Sequence, residues 1–310
     1  MRPRVLLVAD RRGWAIERKA FNLQRVLGDR YAIDVRHERE LDASELDRAD
    51  VVLLFYWLQV DKVPFGRDEL ARCADRLLLG ICSHYELQGE RREPGLEVLR
   101  TLPREVFANN ATLAREYSAV LDRPVHETPN GVDTTFFRPD RSWRRRRRGR
   151  RDALRVGWAG SVTNQGTDHR GVHDVIRPAV AQVAGATFHG AIREERLRDA
   201  EEMLAFYRQL DVYVCASVSE GTPNPCLEAA AVGVPVVTPP VGCMPELIRD
   251  GTNGLLYDRS VDQLATHLAS LRDDPARAAA LADHMHHDIH AWDWTVMAER
   301  FATLFDTVLG

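Results

Sequence analysis

Lysine is nearly missing from this chain: of 42 basic residues, only Lys19 and Lys62 are lysine. Arginine carries the positive charge, a bias we read as genomic. The net charge of −4 is too small to argue for an acidic or a basic partner. No apolar run approaches membrane-spanning length, so stable membrane insertion is not expected. The first apolar run, Val5–Ala9, follows two arginines, but Asp10, Arg11 and Arg12 end it too soon for a signal peptide. A first buried strand is expected there instead. The five cysteines (Cys73, Cys82, Cys215, Cys226 and Cys243) lie far apart, without a CxxC pair. An odd number in mostly apolar settings suits reduced thiols and a cytoplasmic protein. Short-period repeats are absent as well.

What is present is a core-forming chain of 310 residues, 45% of them hydrophobic, long enough for two compact domains. Short apolar runs alternate with longer amphipathic stretches. Strands are expected at Val5–Ala9, Ile33–Val35, Val51–Phe55, Leu77–Cys82 and Val106–Ala108, then at Val156–Ala159, Thr187–His189, Val212–Cys215 and Val234–Thr238. Helices are expected at Glu17–Leu27, Asp68–Asp75, Leu96–Leu102 and Asn110–Leu121. In the second half they are expected at Val172–Val183, Glu194–Leu210, Pro225–Val232 and Val261–Leu271. Continuous apolar strands between helices imply parallel sheets covered on both faces, an α/β class. The pattern restarts after a polar, arginine-rich stretch. That divides the chain into a first domain over 1–138, a linker over 139–153 and a second domain over 154–290. A last helix is expected over 291–310, from the helical spacing of Val296, Phe301, Leu304, Phe305 and Val308. The run Arg144–Arg151 reads as a solvated linker; without interleaved aromatics it does not argue for nucleic acid.

The most informative stretch runs from Ser217 to Ala230, between a strand and a helix. Gly221, Pro223 and Pro225 make the turn, and Pro225 suits the first helical turn, where no backbone donor is needed. A helix start at the end of a parallel strand offers N–H groups and a positive dipole end to an anion such as a diphosphate. Glu220 sits at the strand end and Glu228 about one turn into the helix. Carboxylates hold sugar hydroxyls through charge-assisted hydrogen bonds. By itself the pair would equally serve to cap and solubilise a turn.

The stretch Glu220-Gly-Thr-Pro-Asn-Pro-Cys-Leu-Glu228 resembles the Glu-x7-Glu motif of the GT-B glycosyltransferases, in particular retaining family 4, the bacterial glycosyl transferases of group 1. Four further segments match in order: Pro129-Asn130-Gly131-Val132-Asp133; Val156–Ser161 with Arg170-Gly171; Gly233–Val237; and Gly242 to Leu256. The likeness runs from about Val106 to the end. It implies two Rossmann-like domains facing across a cleft, with a C-terminal helix returning to the N-terminal domain.

The resemblance also implies roles. Glu220 would contact the transferred sugar and Glu228 the ribose of the nucleotide. Gly221, Thr222, Pro223, Asn224, Pro225 and Cys226 would hold sugar and diphosphate. At the phosphate segment Gly160 matches, Ser161 stands where relatives carry Arg, and Arg170 stands for their Lys, with Arg193 a compensating base. His84 and the Gly13-Trp14 pair would face the donor sugar or the acceptor. The implied reaction moves a sugar from a UDP- or GDP-sugar to a hydroxyl of a small or natural-product acceptor, with retention and no metal cofactor. Consistently, the chain has no Asp-x-Asp. The cluster His284, His286, His287 and His290 is not read as a metal site, because no nearby cysteine completes it. Other readings are a sugar-nucleotide-binding protein with weakened catalysis, motivated by Ser161, and a transferase acting on a polysaccharide or lipid-linked acceptor. A phosphorylase, an epimerase and an adaptor working through Arg144–Arg151 complete them.

Overall fold

The computed structural model describes residues 2–140, 153–163 and 169–310. The Arg144–Arg151 run lies outside these residues. Backbone contacts divide the chain into two units. One is Met1–Gly131 with Trp294–Gly310, and the other is Val132–Asp293. The break falls at Gly131, ahead of the position 138 suggested by the polar stretch.

The first unit holds β1 (Arg4–Ala9), β2 (Ala32–His37), β3 (Val51–Leu54), β4 (Leu77–Ile81), β5 (Glu105–Ala108) and β6 (Val125–Glu127). They form one parallel sheet in the order β2-β1-β3-β4-β5-β6. Every residue of β3 and β4 is buried, as strands covered on both faces require. The edge strand β6 went unread because its three residues, Val-His-Glu, carry no apolar run. The expected helix over Asp68–Asp75 is instead a short α-helix, Arg67–Ala71, followed by a 3-10 turn at Ala74–Arg76. The C-terminal helix, Trp294–Leu309, belongs to this unit. Its Phe301 and Phe305 are fully buried. The Tyr31 hydroxyl donates to Asp306 at 2.7 Å, and Arg30 pairs with Glu299 at 2.6 Å.

This unit buries two charges without opposite partners in hydrogen-bonding contact. Lys19 is 3% exposed; its ammonium donates to Asn109 Oδ1 at 2.8 Å and lies over the rings of Phe301 and Phe55. Burial pulls it from 10.5 to about 8. Glu86 is 5% exposed and accepts the Cys82 and Ser83 amides, while its Oε2 has no partner. Burial, only partly offset by those amides, lifts it from 4.5 to about 8. The linkage signs are opposite. Between pH 4.5 and 8 folding takes up a proton at Glu86, so stability falls as pH rises; between pH 8 and 10.5 the unfolded state alone keeps the Lys19 proton, so stability rises. Unfolding monitored across pH 4–11 is therefore expected to show a minimum near pH 8, the acid arm worth roughly 5 kcal/mol and the alkaline arm roughly 3 kcal/mol. Lys19→Met should flatten only the alkaline arm; an unchanged profile would rule the assignment out.

The second unit repeats the plan. Its strands are β7 (Leu154–Gly160), β8 (Ala186–Ile192), β9 (Val212–Val214), β10 (Val236–Thr238) and β11 (Leu255–Leu256), in the order β11-β10-β9-β7-β8, all parallel. In both sheets the second strand lies to one side of the first and the third to the other. That reversal leaves a crevice beyond the carboxyl ends of β1 and β3, and of β7 and β9.

One expectation is corrected here. The helix placed over Glu194–Leu210 begins only at Ala200, where Asp199 and Glu202 form a reciprocal capping box. Periodicity did not show that Glu194 is engaged elsewhere. The histidine cluster falls on and just after a helix, Pro275–Asp288, and does not converge. His284 bonds the Thr252 carbonyl, His287 faces Asp288, and the His286 and His290 rings pack 5.3 Å apart. In the Asn130–Asp133 segment, the Val132 amide donates to Trp292 O at 2.9 Å, and Asp133 Oδ1 accepts the amides of Thr135 and Phe136.

Candidate functional site

The site lies in the second unit, at the β7/β9 crevice. Two segments meet there, the turn before Val172 and the loop from β9 into the helix Asn224–Ala231, and the loop leaving β7 lies at the same carboxyl edge of the sheet. Gly171 makes the approach possible. Its φ of +67° suits glycine, and a Cβ there would come within 2.5 Å of Ala216 O at the end of β9. Arg170 is thereby carried against the loop after β9.

There the Arg170 guanidinium pairs with the Glu220 carboxylate, and Ser217, 2% exposed, joins them. The Ser217 hydroxyl donates to Glu220 Oε1 at 2.7 Å, and Arg170 Nη1 lies 3.4 Å from the same hydroxyl. Both charged side chains are largely withdrawn from solvent, 19% and 15% exposed. Burial disfavours the guanidinium charge and holds Arg170 below the usual arginine range. Arg170 Nε is buried with no partner, leaving a donor unused at the crevice. His169 completes the turn, its Nε2 bonding the Ser219 carbonyl at 3.0 Å.

The helix beyond this loop starts as its sequence suggests, with Asn224 at its first position and Pro225 at its second. Pro223, at the cap position, accepts the Cys226 amide at 2.9 Å, and the Cys226 thiol is in the core at 1% exposed. Gly242, at φ +57°, lets a neighbouring turn close on Gly221 O, and the Cys243 amide donates there. Thr222 is buried at the bend.

Glu228 is 7% exposed, and its Oε2 accepts the hydroxyl of Tyr207 at 2.7 Å. Tyr207 is fully buried against Phe137, Phe206 and Tyr213, so the carboxylate is held from behind. From the ribose-holding role that the resemblance implies for Glu228, Tyr207→Phe is expected to raise the KM for a nucleotide-sugar donor about tenfold, with a smaller effect on kcat, since a hydrogen bond to a charged group contributes about 1.5–3 kcal/mol. Steady-state kinetics at saturating acceptor checks this; an unchanged KM would detach Glu228 from the donor.

Ser161 lies beside Gly160 on the β7 side, and its hydroxyl donates to Glu194. The Arg193 amide donates to Gly160 O at 2.9 Å, tying the end of β8 to the same loop. His84 and Trp14 belong to the first unit. His84 follows β4 and faces Glu116 at 3.4 Å. Trp14 precedes the helix Ala15–Leu27 beneath Arg11, whose guanidinium lies 5.1 Å from the ring, and Gly13 before it has φ +71°.

Of the expected donor residues, the structure brings Arg170 and Glu220 together directly and gives Glu228 a buried support. Sequence reading missed Ser217, Tyr207 and Glu194. Ser217 stood at the head of the motif stretch without a role, whereas Tyr207 and Glu194 carried no signal at all, since their partners are distant in sequence. Among the described residues no group of three or more His, Cys, Asp or Glu is placed to hold a metal ion, and no helix is long and apolar enough to cross a membrane.

Residues 147–274 match the family model described as glycosyl transferases group 1. A D-inositol 3-phosphate glycosyltransferase of Thermobispora bispora is 30% identical over 86% of this chain and 72% of its own length. A GDP-mannose-dependent alpha-(1-6)-phosphatidylinositol monomannoside mannosyltransferase of Mycolicibacterium smegmatis is 31% identical over 64% of this chain and 60% of its own. Among solved structures, HepE of Anabaena in complex with UDP-glucose superposes with a TM-score of 0.76 at 16% identity, covering 98% of this chain and 99% of that one. Sucrose-phosphate synthase from Thermosynechococcus elongatus superposes with a TM-score of 0.73 at 15% identity, covering 100% and 99%. Those two likenesses speak for the two-unit parallel α/β fold, the GT-B fold. With the ordered motifs and the long match to the Thermobispora protein, they lead to one conclusion: the chain belongs to the group 1 glycosyl transferases.

Proposed function

We propose that this chain transfers a sugar, with retention and without a metal cofactor, from a nucleotide-sugar donor to a hydroxyl of a small or natural-product acceptor. The observation that carries the reading is the Arg170–Glu220–Ser217 constellation at the β7/β9 crevice, beside the start of the Asn224–Ala231 helix. A diphosphate would lie against Arg170 and that helix start, which stabilise charge developing on the leaving group. Glu220, at the same place, accepts hydrogen bonds from the sugar, and Glu228, steadied by Tyr207, from the ribose. In the transfer the bond from the anomeric carbon to the diphosphate oxygen breaks and a bond to the acceptor oxygen forms on the same face. The acceptor proton passes to a phosphate oxygen of the departing nucleotide. The acceptor is assigned to the first unit, with His84, Gly13 and Trp14 as its candidate contacts.

Relatives named for UDP- and GDP-linked substrates make these two nucleotides the first to try. Their names favour a second acceptor reading, an inositol phosphate or a phosphatidylinositol-linked sugar. The test is incubation with UDP- and GDP-sugars against a panel of cyclitols, cyclitol phosphates, natural-product alcohols and phosphatidylinositol vesicles. Products would be read by mass spectrometry and the anomer by NMR. An inverted anomer would overturn the retaining assignment. Donor binding without transfer or hydrolysis anywhere in the panel would favour a binding protein.

A further inference from the structure

The loop that leaves β7 at the crevice already holds an anion. Glu194, just past the end of β8, accepts four bonds on one carboxylate: from the Ser161 hydroxyl, the Thr163 hydroxyl at 2.7 Å, the Val162 amide at 3.1 Å and the Thr163 amide at 3.2 Å. Two amides and two hydroxyls converging on one pair of oxygens is the donor arrangement that a phosphate group takes. The cationic side chain after β7, Arg170, is likewise matched by Glu220. Both anion-binding elements at this edge of the sheet are therefore matched by carboxylates of the chain itself.

We infer that Glu194 stands in for a donor phosphate in the Ser161–Thr163 loop, and that a nucleoside diphosphate enters by exchanging with it. The inference rests on the transfer reading above. Glu194 lies in a turn ahead of the Ala200 helix start and its side chain is exposed, so it can withdraw without breaking a helix or opening the core. Burial pushes its carboxyl upward, yet the bonds from Ser161, Thr163 and the Val162 amide together bring it to about 2. It thus remains ionised at any working pH and competes as a full charge. A phosphate offers the same oxygens with more charge and is further attracted by Arg170. Glu194 then sets how tightly the donor is held: it keeps the loop shaped for an anion while lowering the affinity for one.

The test is calorimetric titration of UDP and of GDP into the full chain and three variants: Glu194→Gln, Glu194→Ala, and Glu195→Gln as a charge control on the adjacent exposed residue. All four proteins should melt within a degree or two of each other. The expected result is a Kd five- to thirtyfold lower for both Glu194 variants, with Glu195→Gln within twofold of the parent. Donor KM should fall likewise while kcat does not rise. If the Glu194 variants bind the tighter of the two nucleotides no better than the parent, or more weakly, the carboxylate only braces the loop and the inference fails. If neither nucleotide binds any of the four proteins, the transfer reading fails as well, and the two failures are thereby told apart.

Discussion

Glu220→Gln is expected to lower kcat for sugar transfer by about 10²–10³-fold while tightening the binding of free UDP or GDP. Glutamine keeps the shape and still accepts the Ser217 hydroxyl, so the fold should be undisturbed. What is lost is a charge acting at the sugar, and removal of one oriented electrostatic contact in a partly dehydrated site costs about 10²–10³ in kcat. The gain in nucleotide affinity has a separate origin. Arg170 is paired with Glu220, and the substitution releases that cation for the diphosphate. Opposite signs on chemistry and on product binding are a signature that general misfolding would not produce. Kinetics with a confirmed acceptor, together with calorimetry of the nucleotide alone, measures both. Turnover within threefold of the parent would remove Glu220 from the reaction.

Arg170→Met is the other large effect. It leaves Glu220 charged, 15% exposed and without its cation, and breaking a buried pair from one side is costly, here about 2–4 kcal/mol. Loss of the charge that faces the leaving diphosphate should lower kcat/KM by about 10³-fold. Combining Arg170→Met with Glu220→Gln removes the stranded charge. The double variant is therefore expected to regain most of the stability and none of the activity. Urea unfolding of the four proteins of the cycle gives the coupling. Additive stability losses would mean that the two side chains do not depend on one another.

The β-strand runs were legible because strands buried on both faces read as unbroken apolar segments, as in Val51–Leu54 and Leu77–Ile81. The edges were not: β6 is three residues long and β11 two, too few for a period to show. In the site, Glu220, Glu228 and Arg170 were legible through their motif segments. Their partners were not, since Ser217 is an ordinary loop serine and Tyr207 an ordinary apolar-face tyrosine until the fold sets them beside carboxylates.

By itself, then, the sequence determined two parallel α/β units and the turn and helix start after β9, because apolar periodicity and glycine and proline placement act locally. Only the tertiary structure decided that Arg170 meets Glu220 across 50 residues and that Glu194 fills the Ser161–Thr163 loop across about 30. The reason is the strand order β9-β7-β8. Hydrogen bonding between strands far apart in the chain sets β8 and β9 on either side of β7, so loops that are never consecutive in sequence leave the same edge of the sheet beside one another.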